Sequence, residues 1–231
     1  MMKIEKLKLV EGAVSAEGVT IIIDVFRAFS VSCYLISKGV ERIYTVGSIE
    51  EAFELKNLHP DAVLVGERHE KKCEGFDFGN SPTHLLAANL EGKTVIHTTS
   101  SGTMGISLAV NADEIITGSF VNAKAIATYL LKINPLKVSL VSMGYEGKRL
   151  TQEDDFCADY IQNLIENKET NFTEMVEILR IGDGARLLDP KNHAHSPATD
   201  FELCLQKDIF NFVLKVKKDE NGVNFLERID V

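Results

Sequence analysis

What this chain lacks narrows its class before any motif is considered. Its four cysteines, Cys33, Cys73, Cys157 and Cys204, include no C-x-x-C pair, so they read as reduced, packed thiols of a cytoplasmic protein. No stretch has the apolar length of a signal peptide or a membrane span. The N-terminal "MMKIEKLKLV" instead alternates polar and apolar residues, as a strand does. No basic stripe is present, and a formal net charge of −9 has the wrong sign for a general nucleic-acid binder. A small anionic substrate stays compatible, because it responds to local charge. No linker or low-complexity segment interrupts the chain, so a single domain over residues 1–231 is expected. Homo-oligomerisation is left open.

What is there suffices for a core of ordinary size: 45% of residues are hydrophobic and 26% charged. Apolar runs at 19–23, 42–46, 62–65, 94–97, 114–117 and 138–141 read as strands. Between them, helical patterns cover 28–37, 49–58, 82–89, 103–110 and 122–132. Ser48 and Glu51 have the spacing of a capping box. This alternation predicts an α/β fold of three layers, with helices on both faces of a mostly parallel or mixed sheet. Beyond it, 152–167 places Phe156, Tyr160, Ile161, Leu164 and Ile165 on one helical face. Helical runs at 174–181 and 197–206 and strands at 212–217 and 223–228 follow. The segment from Val19 to Glu67 also runs parallel to that from Lys93 to Gly144, with Asp24 matching Thr98. Internal duplication and chance likeness between two βαβ units both explain this.

Ligands of open parallel sheets bind beyond the carboxyl ends of the strands. Here those ends carry Asp24, then Glu67 and Arg68, then the run Thr98, Thr99, Ser100, Ser101, Gly102, Thr103. Asp24 and Glu67 suit a hard divalent cation, or else pair with Arg27 and Arg68. Glu153, Asp154 and Asp155 offer further ligands, or simply suit a helix N-terminus. "TTSSGT" suits an oxyanion cradle or a hydroxyl-rich helix cap, and Gly102 permits a close approach or a positive φ. It is no Walker A loop, because no Gly-Lys-Ser/Thr follows. "GSFVN" reads best as a helix start capped by Ser119 or Asn122. "EGFDFGNSP" concentrates Asp77, Asn80 and Ser81 in one loop. His193 and His195 lack further zinc ligands, and His97 reads as a strand residue without chemistry.

In order, "IDVFRAFS", "VGER", "EGFDFGNSP", "GKTVIHTTSSGT", "GSFVNA" and "QEDDFCAD" resemble the 2-phosphosulfolactate phosphatases. The likeness covers residues 19 to about 159 and touches "DFELCLQ" near residue 200. It implies one α/β/α domain and a magnesium-dependent hydrolase. Its substrate would be a small anionic phosphomonoester, the 2-phosphate of a hydroxy acid bearing a sulfonate, on the way to coenzyme M. Carried over by position, it implies catalytic roles for Asp24, Arg27, Glu67, Arg68 and Asp77. Substrate binding would fall to Arg27, Arg68, Asn80, Ser81, the six residues from Thr98 to Thr103, Ser119 and Asn122. Asp24, Glu67, Glu153 and Asp154 would hold the metal. Ser101 stands where the family pattern has asparagine, and Phe26 and Phe29 stand where leucine and threonine are common. No D-x-D motif is present, since Phe26 fills the second acid's place. Phosphatases of other hydroxy acids and non-catalytic binders of an anionic metabolite are the alternatives.

Overall fold

The structure, a computed structural model, describes residues 2–231. The elements run β1 (Lys3–Lys8), α1 (Leu9–Ser15), β2 (Gly18–Ile23), α2 (Ala28–Ser37), β3 (Arg42–Thr45), α3 (Ile49–Leu58), β4 (Val63–Arg68) and β5 (Lys71–Lys72). Then follow α4 (Pro82–Ala87), β6 (Thr94–Thr98), α5 (Gly102–Leu108), β7 (Ala112–Gly118), α6 (Ala123–Ile133) and β8 (Lys137–Ser142). The chain closes with α7 (Gln152–Ile165), α8 (Phe172–Ile181), α9 (Ala185–Leu188), α10 (Thr199–Cys204), β9 (Phe212–Lys218) and β10 (Asn224–Asp230). All strands join one sheet in the order β1-β8-β2-β7-β9-β10-β3-β6-β4-β5.

Alternation along the strands explains the three layers. In β2, Ile22 packs into one core cluster with α2 and α5, whereas Ile21 and Ile23 face the other, under α6 and α7. In β3, Ile43 and Tyr44 divide between the two faces in the same way, Tyr44 meeting α3. The expected apolar stripe of α7 faces one core cluster, with Tyr160 and Ile161 buried and Phe156, Leu164 and Ile165 packed partly buried against it. Ser48 accepts from the Glu51 N–H at 3.1 Å while the Glu51 carboxylate accepts from the Ser48 N–H at 3.1 Å, closing the capping box of α3. No helix among the described residues is long and apolar enough to cross a membrane.

The sheet is mixed in a specific way. β1, β8, β2 and β7 form one parallel block and β3, β6 and β4 another, joined by the antiparallel hairpin β9–β10. The two matching halves of the sequence interleave: β7 and β8 flank β2, and β3 and β4 flank β6. From the hairpin outward, order and direction read alike toward β8 and toward β4. In a flat sheet the carboxyl ends of the two blocks would lie on opposite edges. Twist of roughly 20–25° per strand, summed over the steps from β2 to β6, turns one block through about 100–125° relative to the other. Residues that follow β2, β4, β6 and β8 accordingly line one cleft.

Candidate active site

This cleft is lined by six carboxylates, Asp24, Glu67, Glu70, Glu146, Glu153 and Asp154, against two guanidiniums, Arg27 and Arg186. Three of the acids are held by backbone N–H groups. Asp24 ends β2 and accepts from the Ala28 N–H at 3.2 Å, in the first turn of α2. Glu67, near the end of β4, accepts from the N–H of Ser100 at 2.7 Å and of Glu70 at 2.8 Å. Asp154, in the first turn of α7, accepts from Val25 and Gly144, both at 2.8 Å. Each carboxylate therefore has a fixed orientation, with lone pairs remaining for the cleft.

The ion pairs considered from the sequence do not form. Arg27 pairs with Asp200 at 3.1 Å and Arg68 donates to the Glu67 carbonyl, while Arg186 takes Glu153 and Glu70, both at 2.8 Å. Asp24, Glu67 and Asp154, all under a tenth exposed, are left without a basic partner among the described residues. Burial, reinforced by Glu67 and Glu153, pushes the Asp24 carboxyl up to about 7, against the pull of the Ala28 N–H. Burial and the neighbouring Asp24 raise Asp154 well above the carboxylate range. Glu153 keeps one buried oxygen, Oε2, with no hydrogen-bond partner.

Oxygen is the only donor type these side chains present, and no histidine or cysteine lines the cleft. That set fits a hard divalent cation, which would offset the crowded negative charge. No group of three or more His, Cys, Asp or Glu side chains among the described residues is ready-made for a metal. Magnesium does not require one, since it takes one or two carboxylates and fills its shell with water and phosphoryl oxygen.

The other sequence-derived candidates divide between cleft wall and scaffold. Asn80 lines the cleft, its Oδ1 accepting from His97 Nε2 at 3.0 Å. His97 thus has a positioning task that its strand setting did not suggest, and burial lowers its imidazole to about 4. Ser100 and Ser101 reach the cleft, but "TTSSGT" is not an open cradle. The Ser100 N–H is committed to Glu67, and Thr99 and Thr103 bond each other. Thr98 Oγ1 accepts from Arg68 at 2.9 Å. Arg68 lines a neighbouring groove with Lys148, His69 and Glu146, the last shared with the cleft.

Several candidates stand apart from the cleft. Asp77 accepts from the Leu64 N–H at 2.8 Å and ties its loop to β4 on a different surface. Ser81 donates to Asp200 at 2.8 Å and caps α4. Ser119 and Asn122 are fully buried where β7 ends; Asn122 Oδ1 accepts from the Ser119 N–H at 3.1 Å, and the Ser119 hydroxyl pairs with that of Ser30. Asp155 turns outward to Lys8. Arg186, Glu70, Glu146 and Tyr145 had no signal in the sequence. They sit in irregular turns or, for Arg186, on the short α9, where no periodicity marks them.

Gly102 serves close approach, not a positive φ: a Cβ there would lie 2.9 Å from both Asp24 Oδ2 and Ala28 Cβ. Phe29 Cζ would follow at 3.0 Å, so the residue is part of the core as well as of the site. Gly102→Val should then lower stability by about 1–3 kcal/mol through overpacking and also displace Asp24. A melting curve and a turnover assay on the same sample test both effects. Ser100→Ala should do less, because its N–H still holds Glu67.

A cleft of oriented carboxylates at strand tips agrees with what the chain is similar to. The family model for 2-phosphosulpholactate phosphatase matches residues 5–219. A protein of Carboxydothermus hydrogenoformans is 37% identical over 223 residues, 92% of each chain. One of Bacillus subtilis is 32% identical over 216 residues, 91% of this chain and 92% of its own. One of Caldicellulosiruptor saccharolyticus is 34% identical over 227 residues, 91% of this chain and 93% of its own. All three carry the name probable 2-phosphosulfolactate phosphatase. With the likeness running through every strand that builds the cleft, the chain belongs to the 2-phosphosulfolactate phosphatase family.

Proposed function

We propose that this protein is a magnesium-dependent phosphatase that hydrolyses 2-phosphosulfolactate to sulfolactate and phosphate. The observation that carries this reading is the set of buried carboxylates, Asp24, Glu67 and Asp154, that no basic side chain among the described residues neutralises. Names of relatives support the substrate; a step toward coenzyme M and a cytoplasmic setting are further parts of the proposal. Water adds its oxygen to phosphorus, the bond from phosphorus to the C2 oxygen breaks, and the hydroxy acid leaves with a proton. One or two of Asp24, Glu67, Glu153 and Asp154 would bind the cation directly, and the others would act through its water ligands. When bound, it supplies positive charge that offsets the phosphoryl oxygens as they gather negative charge. The chain's own part is orientation: N–H groups fix the carboxylates, and His97 fixes Asn80 against the cleft. Phosphate release from 2-phosphosulfolactate, with and without magnesium, tests the reading. Release that a chelator leaves unchanged overturns the metal, and no release under either condition overturns the activity.

A measurement without turnover also bears on the cation. Asp24 and Asp154 bind protons more tightly folded than unfolded, so metal-free stability should fall as pH rises through about 7. Magnesium at a hundredfold excess over Kd should add about 2.7 kcal/mol. For a domain of this size that is a rise in Tm of about 5–10 °C. The rise should be larger near pH 8 than near pH 5.5, where protons compete, as about one pKa unit either side of the Asp24 value implies. A thermal shift series over pH reads this directly.

A further inference from the structure

A substrate with three anionic groups needs donors beyond the cation, yet most donors lining the cleft are already engaged. Ser100 gives its N–H and O–H to Glu67, and Ser101 gives its O–H to the Gly144 carbonyl. Arg27 donates to Asp200, to the His195 carbonyl and to the Glu70 carbonyl, which leaves two N–H groups, but its side chain is only 2% exposed and cannot present them. Arg186 differs in its exposure. Nε donates to Glu70 and Nη2 to Glu153, both at 2.8 Å, and Nη1 donates to the Asp183 carbonyl. A guanidinium carries five N–H groups, so one on each terminal nitrogen is left over. The side chain is 17% exposed and lines the cleft. Its central carbon lies 5.5 Å from the Phe26 ring and 5.8 Å from that of Tyr145, which fixes the plane of the fork.

The geometry points to Arg186 as the residue that grips the substrate's non-phosphoryl oxyanion, its carboxylate or sulfonate, beside the open Asn80 amide. This rests on the phosphatase reading above. The role expected of Arg27 from the sequence thereby passes to a residue far from it in the chain, because the Arg27 side chain is enclosed and ion-paired with Asp200. A planar guanidinium with two free N–H groups on separate nitrogens suits an oxyanion with two or three equivalent oxygens, whereas a lysine would offer a point charge. Glu70 and Glu153 hold Arg186 in place and leave the outer N–H groups for the ligand.

Arg186→Lys tests this. The ratio of kcat/KM for 2-phosphosulfolactate to that for 4-nitrophenyl phosphate, which has no second anion, should fall at least about tenfold. The loss should appear chiefly in KM. The inhibition constant of sulfolactate should rise by a similar factor, and that of inorganic phosphate should rise much less. With 2-phospholactate, a loss equal to that for 2-phosphosulfolactate assigns the carboxylate, and a much smaller loss assigns the sulfonate. Arg186→Gln repeats the comparison without the charge, and melting curves establish that each variant is folded. Equal losses on both substrates, or an unchanged sulfolactate constant in a folded variant, overturn the assignment. A wild-type protein that releases no phosphate overturns the phosphatase reading instead. Sulfolactate binding by calorimetry, in wild type against Arg186→Lys, then still decides the role of Arg186.

Discussion

Asp24→Asn should lower magnesium-dependent phosphate release by about a hundredfold or more, the scale on which loss of metal-site groups is felt. The substitution leaves side-chain volume nearly unchanged, and the amide oxygen can still accept from the Ala28 N–H. What disappears is a negative charge that no basic residue balances, at the end of a fully buried run of isoleucines. The metal-free variant should melt close to wild type, because relief of repulsion from Glu67 and Glu153 offsets a weaker contact with the Gly102 N–H. Magnesium should no longer raise its melting temperature. Glu67→Gln and Asp154→Asn should behave alike, each also setting an amide N–H2 against a backbone N–H. Near-normal turnover together with an intact magnesium-induced rise would remove Asp24 from the metal site.

Asp200→Ala should destabilise the fold by about 3–5 kcal/mol, because it strands the Arg27 charge in the interior. Asp200 is fully buried, meets Arg27 at 3.1 Å, and accepts from Ser81 at 2.8 Å and from the Thr83 N–H at 3.1 Å. One carboxylate thus ties together the start of α2, the cap of α4 and α10. Urea unfolding should show the loss as a lower midpoint with little change in slope. Asp200→Asn, which keeps an acceptor, should lose less. Arg27→Met combined with Asp200→Leu should recover much of the stability, since an apolar pair replaces a buried ion pair at little penalty. Activity should stay low in the double variant, because Arg27 also lines the cleft. Wild-type stability in Asp200→Ala would mean that the pair contributes nothing.

Much of the secondary structure was legible because its causes are local. α2 and α3 occupy the expected residues, 28–37 and 49–58, the latter fixed by a cap three residues wide. Periodicity also revealed the buried stripe of α7. It did not reveal α1 or α9, at seven and four residues too short to show a repeat. The antiparallel hairpin in mid-sheet was equally hidden, since strand patterns carry no record of their neighbours. The sequence likeness of the two halves did not show that they interleave, because which strands pair is settled by packing between distant segments.

The site divides along the same line. Asp24 and Glu67 were readable because a carboxylate ending an apolar run must face either a partner or a ligand, whatever the rest of the chain does. Which of these it faced was not readable. Arg27 stands three residues from Asp24 yet pairs with Asp200, separated from it by 173 positions. Arg186 enters the cleft from a four-residue helix, 33 positions beyond Glu153. Local propensity and hydrophobic pattern decide whether a segment is helix or strand, and where its polar tip falls. Charges interact through space, so their partners follow from which tips the twisted sheet brings together, and tertiary structure alone decided that.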